Sequence, residues 1–213
     1  MDISDKQIED YTLNHTTEEP EIVKKLVQAS EEDLDFTDMM SGRQVGTLLR
    51  FFVQLVKPQR VLEVGTFTGY STLMMAQDLP EGGEILTLEM NPRYKKVSNT
   101  FFSLPEYEKR IFQVMGNALE VIPKIEGVFD LIYLDADKAH YPKYYGLLKE
   151  KLDETGYLLI DNVLWGGTVL DHEERKAAAI HRMNQEIAAD DDVEQVMMPV
   201  RDGLTIVRRA MRD

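Results

Sequence analysis

Asp135 closes the apolar run Leu131-Ile132-Tyr133-Leu134, and Asp161-Asn162 closes Leu158-Leu159-Ile160. Two acids and an amide thus each end a short β-like run. If those runs are neighbouring parallel strands, the side chains converge as a hard, all-oxygen set suited to Mg2+, Mn2+ or Ca2+. Without a cation such carboxylates repel, and one of them keeps a proton. A lone Asp at either place is better explained as a cap of the next helix or turn; the combined set favours the metal. Lys138 follows Asp135 by three residues, close enough to face the same ion and to accept a proton from a hydroxyl. Its alternative is a surface lysine paired with Asp137. The histidines at 15, 140, 172 and 181 show no zinc-ligand spacing.

A second constellation is Val61-Leu62-Glu63-Val64-Gly65-Thr66-Phe67-Thr68-Gly69-Tyr70-Ser71. Glycines at both ends of a strand-to-helix turn let a ligand approach the backbone closely. The spacing is not the dinucleotide fingerprint. Phe67 interrupts it, and the Glu63 carboxylate disfavours a pyrophosphate while favouring a ligand with positive charge. S-adenosylmethionine, a sulfonium with an ammonium group and no phosphate, suits that electrostatics. The alternative is a glycine turn that only packs strand on helix. Glu89 ends the next β-like run, where an acid accepts hydrogen bonds from ribose hydroxyls or else faces solvent before Asn91-Pro92. Gly116-Asn117-Ala118 leaves room for an adenine ring, though a helix start explains it as well.

The elements that must position these groups are legible as periodicities. Helices are expected at 21–31 and 43–56, where apolar residues recur at helical spacing, the second ending before Pro58. From Arg60 onward short β-rich runs at 61–64, 85–89, 111–115, 131–135 and 157–161 alternate with helix-length segments near 70–79, 92–104, 118–125, 142–152 and 173–189. That alternation is the signature of a parallel sheet wrapped by helices. The runs 193–198 and 204–209 are separated by five residues, too few for a helical crossover, so they must pair antiparallel. Ligands of such open sheets sit beyond the carboxyl ends of the strands, where strand order reverses.

Bulk properties narrow the class. A chain of 213 residues suits one domain, 1–213, with 1–58 as N-terminal helices covering the active site and 59–213 as the core. With 43% hydrophobic and 29% charged residues it is an ordinary globular composition. There is no cysteine, which excludes disulfides and thiolate metal sites and fits a cytoplasmic location. No apolar run reaches the roughly 20 residues of a membrane helix. A net charge of −14 repels nucleic acid over most of the surface. The expected partner is a small molecule.

Taken together, Met40-Ser41-Gly42, the 63–71 turn, Asp135-Ala136-Asp137-Lys138, Asp161-Asn162-Val163-Leu164-Trp165 and Asp202-Gly203-Leu204 resemble the cation-dependent O-methyltransferases, the group of catechol and caffeoyl-CoA O-methyltransferases, in a bacterial-type form. The resemblance spans nearly the whole chain. It implies an α/β, Rossmann-like S-adenosylmethionine-dependent methyltransferase fold: a seven-stranded mixed sheet, last strand antiparallel, helices on both faces. It implies donor contacts from Ser41, Glu63, Gly65, Ser71, Glu89, Ala118 and Asp135. Asp135, Asp161 and Asn162 become ligands of a divalent cation, usually Mg2+, and Lys138 the general base. A homodimer and a phenolic acceptor with vicinal hydroxyls are further implications. Asn117, Val196 (where catechol O-methyltransferase has a glutamate touching the acceptor) and the 166–173 loop depart from the pattern. Trp165 is either a wall of the acceptor slot or a packing residue. Two other readings remain. One is a nicotinamide-dependent oxidoreductase, for which Tyr145 and Lys149 have the spacing of a relay pair; the other is a non-catalytic adenosyl-ligand binding protein.

Overall fold

The computed structural model describes residues 6–37 and 39–211. Its strands are β1 (Arg60–Val64), β2 (Glu84–Glu89), β3 (Ile111–Met115), β4 (Phe129–Leu134), β5 (Leu152–Asp161), β6 (Val193–Met198) and β7 (Leu204–Arg209). They form one sheet in the order β3-β2-β1-β4-β5-β7-β6. The first five pair parallel, and β7 runs antiparallel to both β5 and β6. This is the mixed sheet with a reversed last strand expected from the short 199–203 link.

Helices cover both faces. On one lie α2 (Glu21–Asp33), α3 (Gly42–Val56), α4 (Tyr70–Ala76) and α5 (Lys95–Phe102), whose Leu26, Leu49, Leu73 and Phe101 pack on Val61, Leu131 and Leu159. On the other lie α6 (Ala118–Val121), α7 (Tyr141–Lys151) and α8 (Arg175–Ala188), whose Leu148 and Ile180 pack on Leu62, Ile132 and Ile160. Alternate strand residues feed opposite cores, as a two-residue period requires. Each fully buried aliphatic side chain contributes about 1.5–3 kcal/mol of burial. No helix among the described residues is long and apolar enough to cross a membrane.

Several boundaries differ from the sequence expectation, each for a local reason. The helix expected at 92–104 begins only at Lys95, because the Asn91 side chain accepts from the Arg93 N–H and holds 91–94 as a turn. The 118–125 segment leaves α-helical geometry for a 3-10 turn, Ile122–Lys124, containing Pro123, which lacks the N–H an α-helix needs. β5 begins five residues before the expected 157, since Leu152 pairs with Phe129 across a register shift. An unanticipated helix, α1 (Lys6–Asn14), buries no residue. It is tied to α3 by Gln44 Nε2 donating to Thr12 Oγ1 at 2.6 Å and by Arg43 donating to the Leu13 carbonyl at 2.5 Å.

Candidate active site

The strand order reverses between β1 and β4, and a cavity of about 610 Å³ opens there beyond the strand ends. Two backbone connections build it. Gly65, at φ 105°, turns the chain off β1 so tightly that an added Cβ would stand 2.0 Å from the Asp135 carbonyl oxygen. Only glycine lets the β1 and β4 tips lie this close. The Asp135 N–H donates to the Val64 carbonyl at 2.9 Å, so β4 delivers Asp135 beside the glycine turn.

Of the residues singled out from sequence, Ser41, Gly65, Ser71, Glu89, Ala118, Asp135, Lys138, Asp161 and Asn162 all line this cavity. Glu63 does not. Expected to face the donor, it lies wholly buried behind the turn, on the β1 face that looks toward α4. Ser71 Oγ and Thr87 Oγ1 donate to its carboxylate at 2.5 Å each, and Thr72 Oγ1 donates to it as well. Burial pushes its pKa up to about 7 against those three hydroxyls, with a smaller push from the Asp135 charge. Glu63 therefore reaches the cavity through Ser71, whose hydroxyl it orients, and through Thr87, whose hydroxyl meets that of the cavity-lining Thr66 at 2.6 Å.

Glu89 ends β2 at the cavity wall. Its two oxygens accept from the Phe67 N–H at 2.8 Å and the Asn91 N–H at 2.7 Å, leaving further lone pairs for a ligand's hydroxyls. Burial raises its pKa.

Adjacent pairing of β4 and β5, with Leu134 opposite Ile160, sets Asp135 and Asp161 side by side. Asp161 is almost sealed from solvent. Tyr133 Oη donates to its Oδ2 at 2.6 Å and the Asn162 N–H to its Oδ1 at 2.8 Å. Even so its pKa is raised to about 7, first by burial and then by the charge of Asp135. Lys138 Nζ donates to Asp135 Oδ1 at 2.5 Å. Asp137 is occupied elsewhere, by His140 Nδ1 at 2.7 Å, so Lys138 is not the surface partner of Asp137. Asn162 takes a left-handed φ of 58° that turns it back toward the hairpin, where its Nδ2 donates to Asp202 Oδ2 at 3.4 Å. With the amide nitrogen so held, the amide oxygen remains an acceptor.

Among the described residues no three His, Cys, Asp or Glu side chains cluster as a metal site. The set present is two carboxylates and an amide oxygen, and its chemistry fits a hard divalent cation. Two neighbouring carboxylates share one lysine, and burial first, then the charge of Asp135, raises the Asp161 pKa.

Several residues in or behind the cavity wall escaped the sequence reading. Tyr133 reads as one more apolar core position of β4, yet its hydroxyl joins Ser41 to Asp161. In sequence Asp202 is only part of the Asp202-Gly203-Leu204 motif; in the fold it accepts from the Asn162 Nδ2 and from the Gly166 N–H. Lys176 and Arg201 line the rim. Trp165 stands between cations, with Lys176 Nζ 5.5 Å and Lys138 Nζ 5.9 Å from its ring. Tyr145 and Lys149 lie outside the cavity and bond to Asp190 instead, Tyr145 at 2.6 Å and Lys149 at 2.6 and 2.7 Å, which removes the basis of a hydride-relay pair.

A seven-stranded sheet with β7 reversed, its cavity at the β1/β4 switch and an acid at the tip of β2 define the S-adenosylmethionine-dependent methyltransferase fold. Solved structures agree. A Podospora anserina methyltransferase with bound S-adenosylhomocysteine superposes with a TM-score of 0.88 at 26% identity, covering 97% of this chain and 95% of that one. An O-methyltransferase of Streptomyces achromogenes involved in tomaymycin synthesis, in complex with S-adenosylmethionine, gives 0.85 at 25%, covering 96% of each. The O-methyltransferase family model matches residues 13–210, and this chain belongs to that family. Its relatives include caffeoyl-CoA O-methyltransferase 1 of Arabidopsis thaliana, 34% identical over 90% of this chain and 79% of the relative. Caffeoyl-CoA O-methyltransferase 2 of Populus trichocarpa is 32% identical over 90% and 83%.

Proposed function

We propose that this O-methyltransferase moves the methyl of S-adenosylmethionine to a hydroxyl of a catechol-like or other vicinal-dihydroxy phenol, with a divalent cation, Mg2+ before Mn2+ or Ca2+, held by Asp135, Asp161 and Asn162. One observation carries the reading: two carboxylates at adjoining strand tips share one cavity, with the Lys138 ammonium 2.5 Å from one of them. The S-adenosylhomocysteine and S-adenosylmethionine named in the two structural relatives and the caffeoyl-CoA named in the sequence relatives support it.

Ser41, Gly65, Ser71, Glu89, Ala118 and Asp135 hold the donor, Glu89 offering its spare lone pairs to ribose hydroxyls. Glu63 takes no direct part; it sets the direction of the Ser71 hydroxyl. Asp135, Asp161 and Asn162 would hold the divalent cation, which when bound would lower the pKa of an acceptor hydroxyl. Lys138 Nζ, held at 5.5 Å from the Tyr141 ring and 5.9 Å from that of Trp165, gives up one proton to solvent and, as the neutral amine, takes the hydroxyl proton. The oxygen then forms a bond to the methyl carbon as the carbon–sulfur bond breaks, giving the methyl ether and S-adenosylhomocysteine. Trp165 forms one wall against the acceptor ring.

Asp161→Ala is expected to lower cation-stimulated methyl transfer to a catechol by about 100-fold or more, while S-adenosylhomocysteine affinity by calorimetry stays within a few-fold. Unchanged turnover in the variant would refute the metal assignment.

A further inference from the structure

Tyr133 sits at the centre of β4 with its ring fully buried, in the same core as Leu131 and Leu159. Packing alone asks only for a phenyl ring there. A hydroxyl in that position costs free energy unless it is hydrogen-bonded, and this one has two partners from distant parts of the chain. Its proton goes to Asp161 Oδ2 at 2.6 Å. Having one hydrogen, Tyr133 Oη must then accept from Ser41 Oγ, 2.9 Å away. Ser41 itself stands immediately before α3, lines the cavity, and lies 3.5 Å from Asp135 Oδ2. Its single proton can serve Tyr133 or Asp135, and not both at once.

We propose that Tyr133 is a positioning residue that couples the two halves of the cavity, transmitting the state of Ser41 on the donor side to Asp161 on the cation side. The proposal rests on the cation reading above. A hydrogen bond to a ligating carboxylate fixes which lone pairs it presents, and removing such an outer partner typically lowers metal affinity about 10- to 100-fold. Because Ser41 sets the orientation of the Tyr133 hydroxyl, a change at Ser41 reaches Asp161 without any movement of the sheet. The coupling must be reciprocal: what donor binding does to cation affinity, cation binding does equally to donor affinity.

The test is Mn2+ binding followed by electron paramagnetic resonance, with and without S-adenosylhomocysteine, on the native protein, Tyr133→Phe and Ser41→Ala. No acceptor or turnover is needed. The native protein is expected to bind Mn2+ with an affinity that changes at least about 5-fold on adding S-adenosylhomocysteine. Tyr133→Phe is expected to bind Mn2+ about 10-fold more weakly, with the effect of S-adenosylhomocysteine reduced to less than 2-fold. Ser41→Ala is expected to lose the same coupling while keeping Mn2+ affinity nearer to native, which separates the relay from a general loss of stability. Native-like Mn2+ affinity and coupling in Tyr133→Phe overturn the role of Tyr133 alone. Absence of saturable Mn2+ binding in the native protein overturns this proposal together with the cation reading.

Discussion

Glu63 and Asp161 are both carboxylates on central strands, both nearly inaccessible, and both hold a proton up to about pH 7. Their surroundings differ in kind. Glu63 is enclosed by three hydroxyl donors, from Ser71, Thr72 and Thr87, and does not line the cavity. Asp161 has two donors, from Tyr133 and Asn162, and opens on the cavity beside a second carboxylate. Burial alone therefore does not mark the reacting centre. What marks it is a buried acid left next to a like charge with an opening to the cavity, where a bound cation can relieve the repulsion.

The contrast breaks most visibly in kinetics. On the open side, Lys138→Ala is expected to lower kcat by about 100- to 10,000-fold while acceptor KM moves only a few-fold, measured by steady-state assay with a catechol. A loss confined to KM would make Lys138 a binding residue instead of the base. On the enclosed side, Glu63→Ala is expected to cost about 3 kcal/mol of stability by leaving three hydroxyls without their acceptor. Urea unfolding checks this, and a variant as stable as the native protein would show the cage to be dispensable.

The pH dependence of stability sharpens the same comparison with a smaller effect. Both acids have folded pKa values raised to about 7, from 4.5 for Glu63 and 3.8 for Asp161. The folded state thus binds more protons than the unfolded chain between those limits. The stability they contribute is fully present below about pH 4 and is lost as pH rises through 7, at no more than about 1.4 kcal/mol per pH unit for each. Saturating Mg2+ is expected to flatten the share of Asp161, since the cation stabilises the folded carboxylate form, and to leave the share of Glu63 unchanged. Glu63→Gln is expected to do the opposite. Urea unfolding from pH 5 to pH 8, with and without Mg2+, separates the two contributions; a slope insensitive to Mg2+ would remove the distinction between them.

Much of this arrangement was legible in the sequence because strand ends are. Asp135 and Asp161 each follow an apolar β-run, so their meeting needed only that β4 and β5 be neighbours. The reversed β7 followed from a link too short for any crossover. Less legible was anything set by which face a strand residue takes. Glu63 reads as a ligand-facing acid beside a glycine turn, but the two-residue period turns it away from the cavity, toward Ser71 and Thr72 on α4. Tyr133 reads as core, and its hydroxyl gains meaning only when Ser41, 92 residues earlier in the chain, folds against it. Asp202 is likewise brought to Asn162 by the β5–β7 pairing, a contact across 40 residues that no local pattern announces.

The most direct test of the account is the cation requirement of the native enzyme. Protein stripped with a chelator is assayed with radiolabelled S-adenosylmethionine and a catechol, before and after adding Mg2+. Methyl transfer is expected to fall to background in the stripped protein and to return with Mg2+. Equal rates in the two conditions would contradict it, leaving Asp135 and Asp161 without the role assigned to them.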